Sequence, residues 1–288
     1  MQTVHFFHMI LHCRFLCPKN TMLLVISLKV LVICLLCKFE IGFRFGHLNA
    51  RSLAPKSLQM YDLIIQENLD FMCISETWAR SMTDECLFAS CPADYKFVSR
   101  SRSRQRGGGV AIIYRSEIKI HKLFLQRLPE LECVSINIRY RRRRFIVMCV
   151  YKSTRYNNVR SVKRIGSLLK GLHSLKLPVI LTGDINLHVD DVSDCKTAWL
   201  NFYTTSYNMM QHICCSTQVH GHCLDVVMTT PRSVDIISIS VEPPSYSDHS
   251  LLLWECTVKQ IRQRRQVCRW SLSVSLSFRL SHASIVSK

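Results

Sequence analysis

The residues that can do chemistry in this chain come in short strings spread along its length: Asn49, Glu76-Thr77, Gly183-Asp184-Ile185-Asn186, Asp225, and Ser247-Asp248-His249-Ser250. Together they could carry out metal-assisted cleavage of a phosphodiester. That reaction needs a cation for the phosphate oxygens, a base for water, and donors for the developing charge. Hard magnesium ions keep several waters and need only one or two carboxylate ligands, for which Glu76, closing an apolar run, is a candidate. Standing alone, it reads equally as an ordinary strand-end carboxylate. Asp184 follows Pro-Val-Ile-Leu-Thr-Gly, where Gly183 permits close backbone approach. Asn186 falls on the same side if the chain stays extended, although Asp-x-Asn is also a turn signature. His249 needs a carboxylate to set its tautomer and charge. Asp225, in an otherwise apolar strand, would be costly to bury without such a partner.

These strings need strands and helices to carry them. Residues 41–48 alternate as a strand ending at Asn49. Residues 57–68 place Leu58, Tyr61, Ile64 and Ile65 on one helix face. A buried strand over 70–75 delivers Glu76, and Gly107-Gly108-Gly109 opens a strand over 110–115. Residues 132–140 and 145–151 pair as a hairpin with Arg141, Arg142, Arg143 and Arg144 at its turn. A helix over 159–175, a strand over 178–182, a helix over 199–208, and strands over 224–229, 234–241 and 250–256 complete the pattern. Strands alternating with helices, with polar residues at strand ends, predict layered sheets covered by helices.

The chain has 288 residues, 48% of them hydrophobic, and a formal charge of +18. That composition excludes disorder throughout and favours a polyanionic partner; an anionic membrane surface fits the charge equally well. The 15 cysteines are irregularly spaced, and Cys34 with Cys37 has no second pair to complete a zinc site, so reduced thiols are expected. Residues 1–40 read as an apolar leader. Its core, 22–37, is interrupted by Lys29 and falls short of the roughly 20 apolar residues of a spanning helix. A leader foreign to the domain or an extra buried segment is preferred, with a membrane anchor as the alternative. Residues 41–258 form the domain, and 259–288 a basic, Ser-rich tail.

In their order, these strings resemble the endonuclease/exonuclease/phosphatase superfamily, and more narrowly the apurinic-type endonuclease domain of non-LTR (LINE-type) retrotransposons. The resemblance rests on His47-Leu48-Asn49-Ala50-Arg51-Ser52-Leu53, Ile74-Ser75-Glu76-Thr77-Trp78, Gly107 to Ile112, Val150-Tyr151, Thr182 to Asn186, Ser216-Thr217, Gly221 to Asp225, and Tyr246 to Ser250. It implies a four-layer α/β sandwich of two packed mixed sheets flanked by helices. By the same likeness Glu76 holds Mg2+ (or Mn2+) with Asn49 beside it, and Asp184 positions or deprotonates water. Asn186 and Tyr151 contact the scissile phosphate, and Asp225 orients His249. Asp248 acts at the metal or leaving-group side, with Thr217 and Ser247 in support. The implied reaction is a DNA nick leaving a 3′-hydroxyl. The implied partners are DNA and element RNA, with no small-molecule cofactor, for a nuclear or intracellular monomer. No Phe/Tyr-x-Asp-Asp motif follows, so a reverse transcriptase is not expected. The basic clusters, Arg102, Arg104 and Arg106 in a loop and Arg141, Arg142 and Arg143 at the hairpin, are expected to border the cleft and track DNA phosphates. Two rivals are a catalytically inactive, basic nucleic-acid-binding remnant and a same-fold enzyme acting on a phospholipid.

Overall fold

Apolar strands that alternate with amphipathic helices bury themselves best as stacked layers, and that is the architecture. The computed structural model describes residues 42–102, 107–123, 128, 130–156 and 158–259. The leader, its 22–37 segment, Cys34, Cys37, Arg104, Arg106 and the tail beyond Lys259 lie outside the described residues.

One six-stranded sheet has the order β11-β12-β1-β2-β4-β3, built from β1 (Gly42–Asn49), β2 (Phe71–Ser75), β3 (Tyr95–Arg100), β4 (Val110–Arg115), β11 (Val234–Glu242) and β12 (Leu251–Val258). The other runs β5-β6-β7-β8-β10-β9, from β5 (Lys119–Lys122), β6 (Leu131–Tyr140), β7 (Arg143–Lys152), β8 (Val179–Asp184), β9 (Met210–Gln211) and β10 (Asp225–Thr229). The sheets pack through an aromatic layer. Phe45 stacks on Phe71 at 4.7 Å and on Trp254 at 5.1 Å, while Phe43 meets Phe145 of the opposite sheet at 5.1 Å. Helix α1 (Ser57–Gln66) covers the outer face of the first sheet through Met60, Leu63 and Ile64. On the second sheet, α3 (Val159–Ser174) and α4 (Cys195–Ser206) bury Val162, Ile165, Leu169 and Leu200 against Ile146 and Met148. A short α2 (Glu85–Ala89) lies near α1. The four-layer sandwich is thus present, and no described helix is long and apolar enough to cross a membrane.

Each sheet holds one parallel pair, β1 with β2 and β7 with β8. Asn49, Glu76, Tyr151 and Asp184 therefore all emerge at one end of the sandwich. Antiparallel β10 and β12 begin at that same end, just where Asp225 and His249 stand.

The structure corrects several expectations. The buried face of α1 is Ser57, Met60, Leu63 and Ile64, whereas Leu58 and Ile65 face solvent at 73% and 50% exposure. Ser57 can be buried because its hydroxyl donates to the Leu53 carbonyl at 3.1 Å. Helix α4 starts four residues before Trp199, because Asp194 accepts a capping hydrogen bond from the Lys196 amide. At the arginine hairpin only Arg141 and Arg142 form the turn; Arg143 and Arg144 are in β7, paired with Tyr140 and Arg139. In agreement with the expected reduced thiols, all ten described cysteines are free.

The corrected face of α1 makes a stability prediction. Leu63→Ala should cost about 2–5 kcal/mol, and Leu58→Ala no more than about 0.5 kcal/mol. Urea midpoints of the two variants measure it; equal losses would restore the face expected from sequence.

Candidate active site

Asp184 and Asp225 are opposite partners in the antiparallel pairing of β8 and β10, so their side chains share one face. Both are fully buried. The bend that carries the first of them requires glycine. Gly183 has φ 146°, and a Cβ there would lie 1.8 Å from the Val150 carbonyl oxygen. Asp184 is held at both oxygens. The Asn186 amide N–H donates to Oδ1 at 2.8 Å, while side-chain amides of Asn49 (2.8 Å) and Asn186 (3.0 Å) donate to Oδ2. Asn186, at φ 45°, also donates to the Lys152 carbonyl at 2.7 Å. Burial first, then the Asp225 charge, pushes the Asp184 carboxyl up to about 8.

The first sheet supplies what these carboxylates need. His249 Nδ1 lies 2.8 Å from Asp225 Oδ2. Burial pulls its imidazole down, but the hydrogen bond and charge of Asp225 outweigh that and raise it to about 9. Thr217 Oγ1 accepts the amides of Leu224 and Asp225, both at 3.0 Å, and so fixes the start of β10. Ser247 donates to the Asn49 carbonyl at 2.6 Å and accepts the His249 amide at 3.0 Å, tying the two strands together. The Asn49 NH2 group spans the sheets, reaching Glu76 Oε1 at 3.2 Å as well as Asp184, and its oxygen accepts the Arg51 amide at 3.1 Å.

Glu76 follows β2 in a left-handed conformation (φ 51°), half-buried, with Oε2 accepting the Trp78 indole N–H at 3.0 Å. Tyr151 lies in the same face, its phenol pushed up by burial and by the Glu76 and Asp184 charges, so it stays protonated. Asp248 stands at the rim, where Arg51 donates to its Oδ2 at 2.6 Å, while its buried Oδ1 lacks a partner.

The structure thus brings Asn49, Glu76, Tyr151, Asp184, Asn186, Thr217, Asp225, Ser247, Asp248 and His249 to one end of the sandwich. Arg102 is there too, ion-paired with Glu132 and 5.8 Å from the Tyr151 ring centroid. Arg141, Arg142 and Arg143 are not. Arg143 opens β7 and Tyr151 lies eight residues on, one before its end, about 26 Å at roughly 3.3 Å per residue. The hairpin therefore does not border this cleft.

Two neighbours escaped the sequence reading of roles. His47 is fully buried beneath Asp225, its Nδ1 3.8 Å from Oδ1, and burial pulls its imidazole down to about 4, which keeps it neutral. Its signal was available, since period two places it on the face that carries Asn49. Lys152 is wholly buried with no partner at Nζ; burial lowers its ammonium to about 8 while the Asp184 charge holds it up. Nothing in the pattern after Tyr151 marks it.

The donor set suits a hard divalent cation. Asp184, Asp225 and His249 offer ligand atoms within 4.8 Å of one another, and a cation there would offset the burial and the Asp225 charge that raise the Asp184 carboxyl. Asp225 already occupies His249 Nδ1, and the Asn49 amide reaches both the Asp184 and the Glu76 carboxylates, which brings those two acids around one shared donor.

A family model described as the Endonuclease/Exonuclease/phosphatase family matches residues 43–249. No curated protein sequence matches the chain. Among solved structures, the endonuclease domain of TRAS1, a telomere-specific non-LTR retrotransposon, is 12% identical with TM-score 0.59, the match covering 76% of this chain and 99% of that one. The AP endonuclease LMAP from Leishmania major is 14% identical with TM-score 0.60, over 76% and 88%. The mannosyl-6-phosphatase Bt3783 of Bacteroides thetaiotaomicron is 13% identical with TM-score 0.58, over 75% and 99%. At these identities the likeness shows the fold.

Cation binding should appear as stabilisation. Magnesium should raise the thermal midpoint of the native protein, with a free-energy gain of about 2.7 kcal/mol at a hundredfold excess over Kd. Glu76→Gln combined with Asp184→Asn should abolish the rise; an undiminished rise in that variant would place the cation elsewhere.

Proposed function

The chain belongs to the endonuclease/exonuclease/phosphatase family, a family of phosphodiesterases and phosphatases, and from that premise we propose that it is a divalent-metal-dependent endonuclease that nicks DNA. The observation that carries the reading is the convergence of Asn49, Glu76, Asp184, Asn186 and the Asp225–His249 pair from both sheets onto one half-open end of the sandwich. The charge of +18 favours a polymeric phosphodiester over a small phosphomonoester. Descent from a non-LTR retrotransposon is supported by the order of the motifs, in particular Gly221 to Asp225 and Tyr246 to Ser250, rather than by likeness of fold.

Bound at Glu76 and Asp184, magnesium, or manganese in its place, would neutralise charge on the scissile phosphate. Asp184, oriented by Asn49 and Asn186, takes the proton of the attacking water, its carboxylate favoured by the charge of His249 and by the bound cation. The water oxygen bonds to phosphorus, the P–O3′ bond breaks, the departing O3′ takes a proton from solvent, and the strand is left with a 3′-hydroxyl and a 5′-phosphate. His249, charged because Asp225 holds Nδ1, turns Nε2 toward the phosphate oxygens. Protonated Tyr151 donates to the same group; Asn186, expected to contact the phosphate, instead spends its amide hydrogens on the Lys152 carbonyl and on Asp184, and Asp248 steadies the leaving side through Arg51. Arg102 contributes charge at the lip. The assembled set argues against an inactive remnant, since its members come from separate segments.

The direct test is nicking of supercoiled plasmid by the full chain with magnesium and with chelator. Asp184→Ala and His249→Ala should each lower the rate by about a hundredfold or more, and chelator should stop it. Folded protein that shifts DNA without nicking it would establish the remnant, and release of phosphate headgroups from lipid in its place would establish the phospholipid enzyme.

Separately, Asp225→Asn should leave His249 in place but without a counter-charge, lowering kcat by about two to four orders of magnitude. KM should change little. A loss confined to KM would contradict the role given to the pair.

A further inference from the structure

The β6–β7 hairpin concentrates positive charge at the end of the sandwich opposite the site. Arg141 and Arg142 alone connect Tyr140 to Arg143, which face each other across the ladder. Both sit at positive φ, 43° and 68°. Two-residue turns of this kind favour Asn-Gly, since residues with a Cβ are strained there. Here two exposed arginines occupy both positions.

A second observation points the same way. Lys119 of β5 is opposite Arg139 of β6, and Arg139 is opposite Arg144 of β7. Three cations therefore stand in one row across three strands, an arrangement that repels and weakens a sheet. Among the described residues none of these six, Lys119, Arg139, Arg141, Arg142, Arg143 and Arg144, is ion-paired, although acids at the same end are used to pair others: Asp70 with Arg115, and Asp235 with Lys259. Arg143 serves the fold by donating to the Val258 carbonyl at 2.7 Å, but the strained turn of Arg141 and Arg142 and the row of Lys119, Arg139 and Arg144 act against local stability, so those cations are not there for the fold.

We propose that this hairpin is a second nucleic-acid contact, binding the phosphate backbone of a strand other than the one lying in the catalytic cleft. Arginine supports this partner over a lipid surface, because its planar fork matches phosphate oxygens bidentately and stacks on rings and bases. Arg141 already lies over the Tyr140 ring at 5.4 Å. Distance supports a separate strand. The hairpin is about 26 Å from Tyr151 along β7, and duplex DNA, stiff over about 150 base pairs, does not readily fold back around the sandwich. The inference goes beyond the proposed nuclease activity and does not depend on it.

The test exchanges the turn for its own preferred residues. Arg141→Asn with Arg142→Gly removes two charges while relieving the turn, so the full chain should keep or raise its thermal midpoint. Binding to long single strands of DNA and RNA is measured in chelator across a salt series. The slope of log K against log salt should fall by about 0.7–0.9 for each arginine lost, while nicking of a duplex of about one helical turn stays as in the native protein. An unchanged slope overturns the proposal. So does an equal loss of short-duplex nicking, which would make the hairpin part of the catalytic footprint. Binding to vesicles of phosphatidylserine but not to either nucleic acid overturns it in favour of a membrane. A native protein that never nicks, yet loses strand binding in the variant, would refute the nuclease reading and leave this one standing.

Discussion

Two fully buried carboxylates, Asp184 and Asp225, face each other across neighbouring strands, and most of the structure near them exists to make that tolerable. Like charges directly opposite in a ladder repel, and each buried ion left unpaired costs several kcal/mol. Among the described residues, the side of the second sheet offers the two carboxylates Asn186 and the nearby ammonium of Lys152. The rest comes from the other sheet: the His249 imidazole on Asp225 and the Asn49 amide on Asp184. The site therefore exists only when the two sheets are packed, and the Phe45, Phe71, Trp254 and Phe145 layer that packs them is as necessary to it as any polar residue.

The same arrangement explains why the backbone is irregular at this end. Arg51, Ser52, Glu76, Trp78 and Asn186 all have positive φ without being glycine. Each follows a strand that must stop abruptly so that its last polar side chain turns into the cleft rather than continuing the ladder. Such conformations cost about 1–3 kcal/mol each and persist where surrounding contacts overdetermine them. Here the contacts are visible: Ser52 and Leu53 donate to the Glu76 and Thr77 carbonyls, and Thr77 and Trp78 donate to those of Gly109 and Gly108. The strained loops thus brace one another. Arg141 and Arg142, at the far end, share the conformation within a two-residue turn and present charge to solvent instead.

Much of this was legible in the linear chain. Strands end where apolar runs meet Asn49, Glu76, Asp184 and Asp225, because a sheet interior excludes such groups and a strand end does not. Other features were hidden for identifiable reasons. Helix α1 carries apolar residues on several faces, so periodicity fitted two rotations, and only the hydroxyl of Ser57 bonded to Leu53 reveals which one is buried. The edge strands β3, β5 and β9 are short or polar, and their pairing comes from neighbours rather than from their own pattern. The arginine hairpin is legible as a hairpin, but its surroundings are not, since a turn's composition carries no information about which end of the sandwich it occupies.

By itself, then, the sequence determined most of the strands and helices of the domain, though not β3, β5, β9 or α2, the identity of the polar residues at their ends, and the alternation that places His47 with Asn49 and buries Phe43 with Phe45. Those are properties of one segment at a time, set by local periodicity and by the cost of burying polar groups. Only the tertiary structure decided that Asn49 and His249 of one sheet meet Asp184 and Asp225 of the other, that Lys152 lies buried beside them, and that the arginine hairpin faces away. Contacts of that kind, up to 200 residues apart for Asn49 and His249, depend on strand order and on which ends of two sheets coincide, and neither is written in any single segment.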